Sequence, residues 1–87
     1  MSRKREHSQR SQAVALAFGR VLIEQRRRVG LSQEQLAARG DLDRTTPSLW
    51  ERGLRQPTLS MLLRIAGPLQ VSPATLVLRT QALLADE

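Results

Sequence analysis

The chain has 87 residues and a net charge of +6 at pH 7, from 14 basic and 8 acidic side chains. That length suffices for one compact domain and not for two. The sequence contains no cysteine, which excludes disulfides and thiolate metal sites, and its single histidine, His7, excludes a zinc site built on histidines. It also lacks both a run of about 18 apolar residues and the apolar core of a signal peptide. We therefore expect a soluble cytoplasmic protein with no cofactor, metal or membrane partner.

The positive charge is concentrated at the N-terminal end. Residues 1–28 carry eight basic and two acidic side chains and hold the whole net charge, while the other 59 residues are neutral overall. Thirteen of the 14 cations are arginine, whose guanidinium binds phosphate through two parallel hydrogen bonds. The charge predicts a polyanionic partner, but it does not distinguish nucleic acid from an anionic membrane surface.

The helical pattern begins near residue 12. Residues 1–11 are polar and charged with no apolar period, and we interpret them as a flexible basic arm that precedes a single domain over 12–87. A first amphipathic helix is predicted from about 12 to 28. Its apolar residues recur at four-residue intervals: Val14, Phe18 and Leu22.

The second helix has a clear start and end. Ser32 and Gln35 match a capping box, in which each side chain bonds the backbone of the other residue. Gly40 is a typical helix terminator. The pattern therefore predicts a helix over 33–39.

The third helix must lie between Asp43 and Gly53 and contains Pro47. With Asp43 as the N-cap, Pro47 would occupy the fourth helical position and remove the first backbone hydrogen bond. With Thr46 as the N-cap, Pro47 would occupy the first position without that cost. We therefore expect a short or distorted helix over about 44–52 that is regular from Pro47 onward.

Two further helices complete the predicted all-α fold. Thr58 is the predicted N-cap of a fourth helix that ends near residue 66, before Pro68. The Ser72–Pro73 pair begins a C-terminal helix over about 73–84. The buried stripe of the fourth helix is predicted to comprise Leu59, Leu62, Leu63 and Ala66.

The second and third helices are joined by a four-residue turn. So short a turn forces a steep crossing, as in a helix-turn-helix, whose second helix can lie in the DNA major groove. A plain helical bundle has similar spacing, so the spacing alone leaves both interpretations open.

Two segments resemble a known family: FGRVLIEQRRRVGLSQEQLAAR and LDRTTPSLWERGLRQPTLSMLLRIAGPLQVSPATL. Together they are similar to the XRE or Cro/C1-type helix-turn-helix family from residue 18 to about 77. The resemblance implies a compact five-helix, lambda-repressor-like DNA-binding domain with its helix-turn-helix at about 33–52. It also implies a bacterial or phage transcriptional regulator that binds its operator as a dimer, as phage repressors and restriction-modification controllers do.

The chain departs from the family pattern at two positions. Asp41 stands in the turn where the family commonly has glycine, and aspartate adopts a left-handed backbone at some cost. Pro47 stands where the family commonly has isoleucine or valine in the core of the second helix of the motif. It therefore affects the orientation of Thr45 and Thr46, and with it the expected base contacts.

The resemblance implies DNA contacts from both helices of the motif. The residues expected to contact base edges are Arg44, Thr45, Ser48 and Leu49. The residues expected to contact phosphates are Gln33, Thr46, Arg52 and Arg55. Arg44 has donors suited to a guanine edge, and the Thr45 methyl suits a thymine methyl. The alternatives are a phosphate contact or a solvated side chain at Arg44, and solvated side chains at Arg52 and Arg55. Gln33 has the alternative of only shielding the helix end, and Leu49 that of packing inward.

Two further sets of residues have expected structural roles. In the family, the positions of Arg26 and Glu51 form a salt bridge between the first and third helices, and Trp50 is expected in the core. The C-terminal helix has more apolar residues than so small a core can enclose, which indicates an interface. We expect a twofold homodimer whose contacts include Leu76, Val77, Leu83 and Leu84. The alternative is that this helix folds back on its own domain.

The predicted function is sequence-specific binding of double-stranded DNA by a transcriptional regulator of repressor or controller type. A homodimer would place two recognition helices about 34 Å apart and require a palindromic operator. The alternative is a protein-interaction or antitoxin-type adaptor on the same fold. A membrane-surface binder is disfavoured because anchoring aromatic residues are missing. We expect neither enzymatic activity nor a small-molecule ligand, since the only lysine and the only histidine lie in the arm and no separate ligand domain fits in this length.

Overall fold

The computed structural model describes residues 2–85, with side chains from residue 6 onward. This part of the chain forms five α-helices and no β-strand, which confirms the predicted fold class. The helices are α1 (Ser2–Arg28), α2 (Gln33–Arg39), α3 (Thr46–Glu51), α4 (Leu59–Ala66) and α5 (Pro73–Ala85). Helix α1 packs against both α3 and α5 and is the central element of the fold. Within the described range, no helix is long and apolar enough to cross a bilayer.

All five helices contribute side chains to one apolar core. Trp50 is 1% exposed, which confirms its predicted place in the core, and its ring meets Phe18 edge-on with centroids 6.2 Å apart. Such T-shaped pairs are a favoured arrangement of two aromatic rings. The largest fully buried side chains are Leu22, Leu36, Pro47, Trp50, Ile65, Leu69 and Leu76.

Helices α1 and α3 approach each other closely at Gly19. A Cβ atom at this position would lie 2.6 Å from the carbonyl oxygen of Trp50 and 2.8 Å from that of Glu51. These are backbone atoms of α3, which cannot rotate away as a flexible side chain can. Gly19 therefore fixes the separation of α1 from the third helix.

The first helix is longer than the sequence pattern predicts. Helix α1 begins at Ser2, so the predicted helix start near residue 12 is wrong. That residues 1–11 form a flexible arm stays a prediction, of which residue 1 lies outside the described residues. The segment 2–11 contains no glycine or proline, and six of its ten residues are arginine, lysine, glutamate or glutamine, which extend a helix readily. Because residues 6–10 are all exposed, no apolar period marks the segment.

Helix α2 and the turn after it follow the prediction. Ser32 Oγ accepts from the Gln35 backbone at 3.0 Å, and Gln35 Oε1 accepts from the Ser32 backbone at 2.9 Å, which completes the capping box. After Gly40, Asp41 adopts a left-handed backbone with φ 55°. Arg64 of α4 donates to the Asp41 carbonyl oxygen at 3.1 Å and so helps to hold this turn.

Helix α3 is shorter than the predicted 44–52, and its N-cap lies one residue earlier than the favoured Thr46. Thr45, and not Thr46, is the N-cap, which places Pro47 at the second helical position. No intrahelical hydrogen bond is lost there, because the first turn of any helix has free N–H groups. Pro47 is fully buried and so takes the core position that isoleucine or valine has in the family pattern.

The predicted apolar stripe of α4 is partly wrong. Ala66 is buried and Leu62 is half-buried against the core, but Leu59 and Leu63 are 72% and 56% exposed. The side of α4 that faces the core instead includes Ile65, which is fully buried. The apolar residues of a short helix do not by themselves show which side of the helix packs against the rest of the domain.

A buried glutamine links α5 to the rest of the core. Gln25 is 3% exposed and lies four residues after Val21 on the apolar side of α1. Its Nε2 donates to the Leu69 carbonyl oxygen at 2.8 Å, and its Oε1 accepts from Arg79 Nη1 at 2.6 Å. Buried polar groups are costly unless they are bonded in this way. The bonds fix α5, whose predicted position over about 73–84 is confirmed.

Candidate nucleic-acid interface

The outward side of α3 is a continuous surface that starts at the turn before the helix. Arg44 and Thr45 are exposed, while Ser48 and Leu49 are half-buried. Residues three and four apart share one side of a helix, so Thr45 lies on the same side as Ser48 and Leu49. The opposite side, with Pro47 and Trp50, is buried. The structure thus brings the four predicted base-contacting residues together on one accessible surface, which we call the α3 face.

The start of the α3 face is held by Asp43, a residue to which the sequence analysis gave no functional role. Asp43 Oδ1 accepts from the Thr45 backbone N–H at 2.9 Å and from Thr45 Oγ1 at 2.7 Å. These two hydrogen bonds, together with the neighbouring charge of Arg44, lower the pKa of the exposed Asp43 carboxyl below its ordinary 3.8. A carboxylate two residues before a helix cap is a recognisable turn signal.

Gln33 is attached to the third helix through Glu51. Its Nε2 donates to Glu51 Oε1 at 2.9 Å, so one amide hydrogen is used inside the protein and the other remains for a partner. The Gln33 side chain is half-buried. Its predicted phosphate contact therefore starts from a fixed position beside α3.

Glu51 is also paired with Arg26, so the structure contains the ion pair that the family pattern implies. Arg26 Nε lies 2.6 Å from Glu51 Oε2, and Arg26 Nη2 lies 2.9 Å from Oε1. The side chains are 12% and 5% exposed. The hydrogen bond to Glu51 outweighs burial and raises the pKa of Arg26. Arg26 Nη1 also donates to the Leu31 carbonyl oxygen at 2.9 Å, so one guanidinium joins α1, the α1–α2 loop and α3.

Two exposed arginines follow the α3 face in the chain. Arg52 lies at the end of α3, where its Nε is 3.3 Å from the Ser48 carbonyl oxygen, and Arg55 lies in the next loop. That loop is anchored to α1, because Gln56 Nε2 donates to the Ser11 carbonyl oxygen at 2.9 Å. Thr46, the remaining predicted phosphate contact, is half-buried in the first turn of α3. Exposed arginines therefore lie at both ends of the α3 face, with Arg44 at its start and Arg52 and Arg55 after its end.

The structure divides the four residues predicted for a dimer interface between the core and the surface. Leu76 is fully buried, so its predicted place in a dimer interface is wrong. Its side chain is enclosed by this chain alone, because α5 packs directly on α1. Val77 is 51% exposed, while Leu83 and Leu84 are half-buried.

Exposed apolar residues lie on both C-terminal helices: Leu59 and Leu63, which were predicted to be in the core, on α4, and Val77 and Leu78 on α5. Helices α4 and α5 pack against each other. We call their accessible apolar residues the α4–α5 patch, and its members are Leu59, Leu63, Val77 and Leu78, each at least 51% exposed. In the described residues, no group of three or more histidine, aspartate and glutamate side chains is placed to hold a metal ion.

The helix-turn-helix family model matches residues 22–76, which include α2, the turn, α3 and α4. The chain belongs to the XRE-type helix-turn-helix family. The match extends over more than half of the chain and contains the α3 face and most of its supporting contacts. The family and fold are those of DNA-binding transcription regulators, which are not enzymes.

Solved structures agree with this assignment. The restriction-modification controller protein C.AhdI from Aeromonas hydrophila is 40% identical, with a TM-score of 0.68 over 71% of this chain and 94% of its own. A mutant of the restriction-modification controller protein C.Esp1396I is 28% identical, with a TM-score of 0.75 over 85% and 96% of the two chains. The clp gene regulator ClgR from Corynebacterium glutamicum, at 22% identity, shares the fold with a TM-score of 0.77 over 83% and 77%. No curated protein sequence matches the chain.

Proposed function

We propose that this protein is a sequence-specific regulator that binds double-stranded DNA with α3 in the major groove. The observation that carries the proposal is the α3 face itself, where Arg44 and Thr45 in the turn and Ser48 and Leu49 on the helix are accessible together, and hydrogen bonds hold both ends of the helix. Arg44 supplies a planar set of donors that match the N7 and O6 acceptors of guanine. Thr45, Ser48 and Leu49 provide methyl, hydroxyl and apolar surface for neighbouring bases.

The residues around the face are suited to phosphate contacts. Gln33 retains one amide hydrogen, Thr46 has a hydroxyl, and Arg52 and Arg55 carry exposed guanidinium groups. Contacts of this kind fix the register of a protein on the duplex, whereas base contacts supply specificity. We assign these four residues to phosphates on the two sides of the groove.

We further propose that the protein acts as a homodimer on a palindromic operator. Four large apolar side chains of the α4–α5 patch are at least half exposed, which is unfavourable for a monomer in water. Val77 also lines an open groove of about 350 Å³ that includes Leu62 and Leu84. A second copy would cover this surface, and twofold symmetry would place the two α3 faces about 34 Å apart.

Selection from a random duplex library tests the DNA proposal. Duplexes retained by the purified protein and then sequenced are expected to share an inverted repeat. The Arg44→Ala variant should lose the preference at one base of each half-site. Retained sequences that are as diverse as the starting library would refute sequence-specific binding.

Sedimentation equilibrium tests the homodimer. The wild-type protein is expected to be dimeric, and the Leu59→Asp, Val77→Asp double variant monomeric. The matched control is Leu54→Asp, which places the same charge on a leucine that is 62% exposed outside the patch and should leave the dimer intact. A double variant that remains dimeric would place the interface elsewhere.

The exposed patch also supports the alternative of an adaptor that binds a different protein. The two functions give different results in the same pair of experiments. A monomeric wild-type protein that selects no DNA sequence would favour the adaptor, whereas a dimer that selects an inverted repeat favours a regulator. Similarity to two restriction-modification controllers makes a controller of this kind the regulator that we propose.

A further inference from the structure

Asp43 and Thr45 form a closed hydrogen-bond unit at the start of the α3 face. The Thr45 hydroxyl lies 2.7 Å from Asp43 Oδ1 and the Thr45 backbone N–H lies 2.9 Å from the same oxygen. An ionised carboxylate only accepts, so the hydroxyl proton must be donated to it. Thr45 consequently has no donor left for DNA and presents its methyl group and the hydroxyl lone pairs.

The second carboxylate oxygen, Asp43 Oδ2, has no hydrogen bond or ion pair with the described residues. Asp43 itself is exposed and immediately precedes Arg44. The Asp43–Thr45 unit therefore offers only acceptors, while the adjacent guanidinium offers only donors. Asp43 and Arg44 are therefore neighbours on this surface, and Asp43 only accepts hydrogen bonds whereas Arg44 only donates them.

Bases differ in the hydrogen-bond donors and acceptors that they present in the major groove. Guanine presents N7 and O6 acceptors there, thymine presents the O4 acceptor and adenine presents the N7 acceptor, whereas the donors are the N4 amine of cytosine and the N6 amine of adenine. An acceptor-only unit can bond an amine and repels a carbonyl oxygen. Its negative charge also opposes the phosphate backbone, so it adds no affinity for DNA in general.

We propose that Asp43 is a specificity-determining residue, whose free Oδ2 accepts from the exocyclic amine of a cytosine or adenine beside the base that Arg44 reads. This inference rests on the proposed DNA-binding function. The lowered pKa of Asp43 keeps the side chain ionised, and hence an acceptor, wherever duplex DNA is stable near neutral pH. A carboxylate placed against a base without an amine would lose its hydration with no replacement, which is costly.

If Asp43 only capped the turn, a single carboxylate oxygen would be sufficient. Capping uses only Oδ1, which accepts both hydrogen bonds from Thr45. An asparagine in this position retains that oxygen and replaces Oδ2 with an NH₂ group. The Asp43→Asn substitution thus preserves the cap and reverses the hydrogen-bonding character of the outward atom.

The test is library selection with Asp43→Asn beside the wild-type protein. At one position in each half-site, the wild type is expected to select cytosine or adenine, and the variant to select against cytosine, which offers no acceptor there. A cytosine preference in both proteins would overturn the proposal and leave Asp43 as a cap. Where the wild type selects adenine, whose N7 also accepts from an amide, the amine-removal measurement below decides. If the wild-type protein selected no sequence at all, the proposed DNA-binding function would fail, which is a separate result.

A second measurement uses only wild-type protein and so does not depend on how the variant folds. The selected cytosine is replaced by 2-pyrimidinone, or the selected adenine by purine, which removes the amine together with the one Watson–Crick hydrogen bond that this amine donates. The expected loss of affinity is about 10- to 100-fold at this position, as for other specific base contacts. Removal of an amine at a flanking position outside the half-site is the control. Equal affinity for the duplexes with and without the amine would overturn the proposal.

Discussion

Gln33 and Glu51 connect the two helices of the helix-turn-helix through a 2.9 Å hydrogen bond between Nε2 and Oε1. The same Glu51 oxygen accepts from Arg26 Nη2 on the first helix. One carboxylate therefore sets the position of the proposed phosphate contact on α2, the orientation of α3 and the attachment of both to α1. Stability and DNA binding are coupled at this residue.

Glu51→Ala is expected to lower the free energy of unfolding by about 3 kcal/mol, because it leaves a largely buried guanidinium without its carboxylate. Urea denaturation followed by circular dichroism measures this change. The matched control is Gln33→Ala, which removes only the Gln33–Glu51 hydrogen bond and should cost about 1 kcal/mol. A loss below about 0.5 kcal/mol for Glu51→Ala would place the ion pair among solvent-screened surface pairs.

Gly19→Ala is expected to lower the free energy of unfolding by about 1–3 kcal/mol, since the added methyl would overlap backbone oxygens of α3. Gly67→Ala is the control, because no atom outside its chain neighbours lies within 4 Å of an added Cβ. That substitution should change stability by less than about 1 kcal/mol, since the restriction of the unfolded chain is opposed by the clash of a Cβ with Pro68 at a helical backbone. Equal effects of the two substitutions in thermal or urea denaturation would contradict the close approach of α1 and α3.

Arg44→Ala is expected to weaken binding to the selected duplex by about 1–3 kcal/mol and to relax the preference at one base pair. Arg55→Ala should weaken binding to selected and random duplexes by the same factor, because a phosphate contact carries no sequence information. Arg20→Ala removes an equal charge from an exposed position on α1 and is the control. Fluorescence anisotropy titrations measure all three. An equal loss on both duplexes for Arg44→Ala would reassign this residue to a phosphate.

The basic start of α1 is expected to add affinity for any DNA sequence. Residues 2–10 contain four cations and one anion, and a fourfold substitution to glutamine removes the cations while keeping good helix formers. The substituted positions are Arg3, Lys4, Arg5 and Arg10. The slope of log affinity against log salt should become shallower by roughly 0.9 for each phosphate that these side chains neutralise in the wild-type complex. A slope equal to that of the wild-type protein would remove this segment from the interface.

The sequence predicted those parts of the fold whose signals are local. Ser32 and Gln35 specify the start of α2 through bonds within one turn, and the structure contains both bonds. The start of α1 was missed because a solvated helix has no apolar period to mark it. The N-cap of α3 was misplaced by one residue because proline is tolerated at more than one position of the first turn.

Tertiary packing decided the features that the sequence could not specify. Leu63 and Leu76 are both leucines on amphipathic helices, yet one is 56% exposed and the other is fully buried. Their difference depends on how α4 and α5 rotate against α1, which no local pattern records. Asp43 was recognised only as a possible cap, because its free oxygen becomes apparent when the bonds to Thr45 are known. Gln25 could have been identified, since a polar residue on an apolar stripe indicates a bonded, buried side chain.

The most direct test of the central claim is the ratio of dissociation constants for a scrambled and a selected duplex. Both are measured by titration of the wild-type protein under the same conditions, at about 150 mM salt, where non-specific phosphate contacts are weakened. If the α3 face reads base edges, the selected duplex should bind at least about a thousandfold more tightly. Equal dissociation constants for the two duplexes would contradict sequence recognition by this protein.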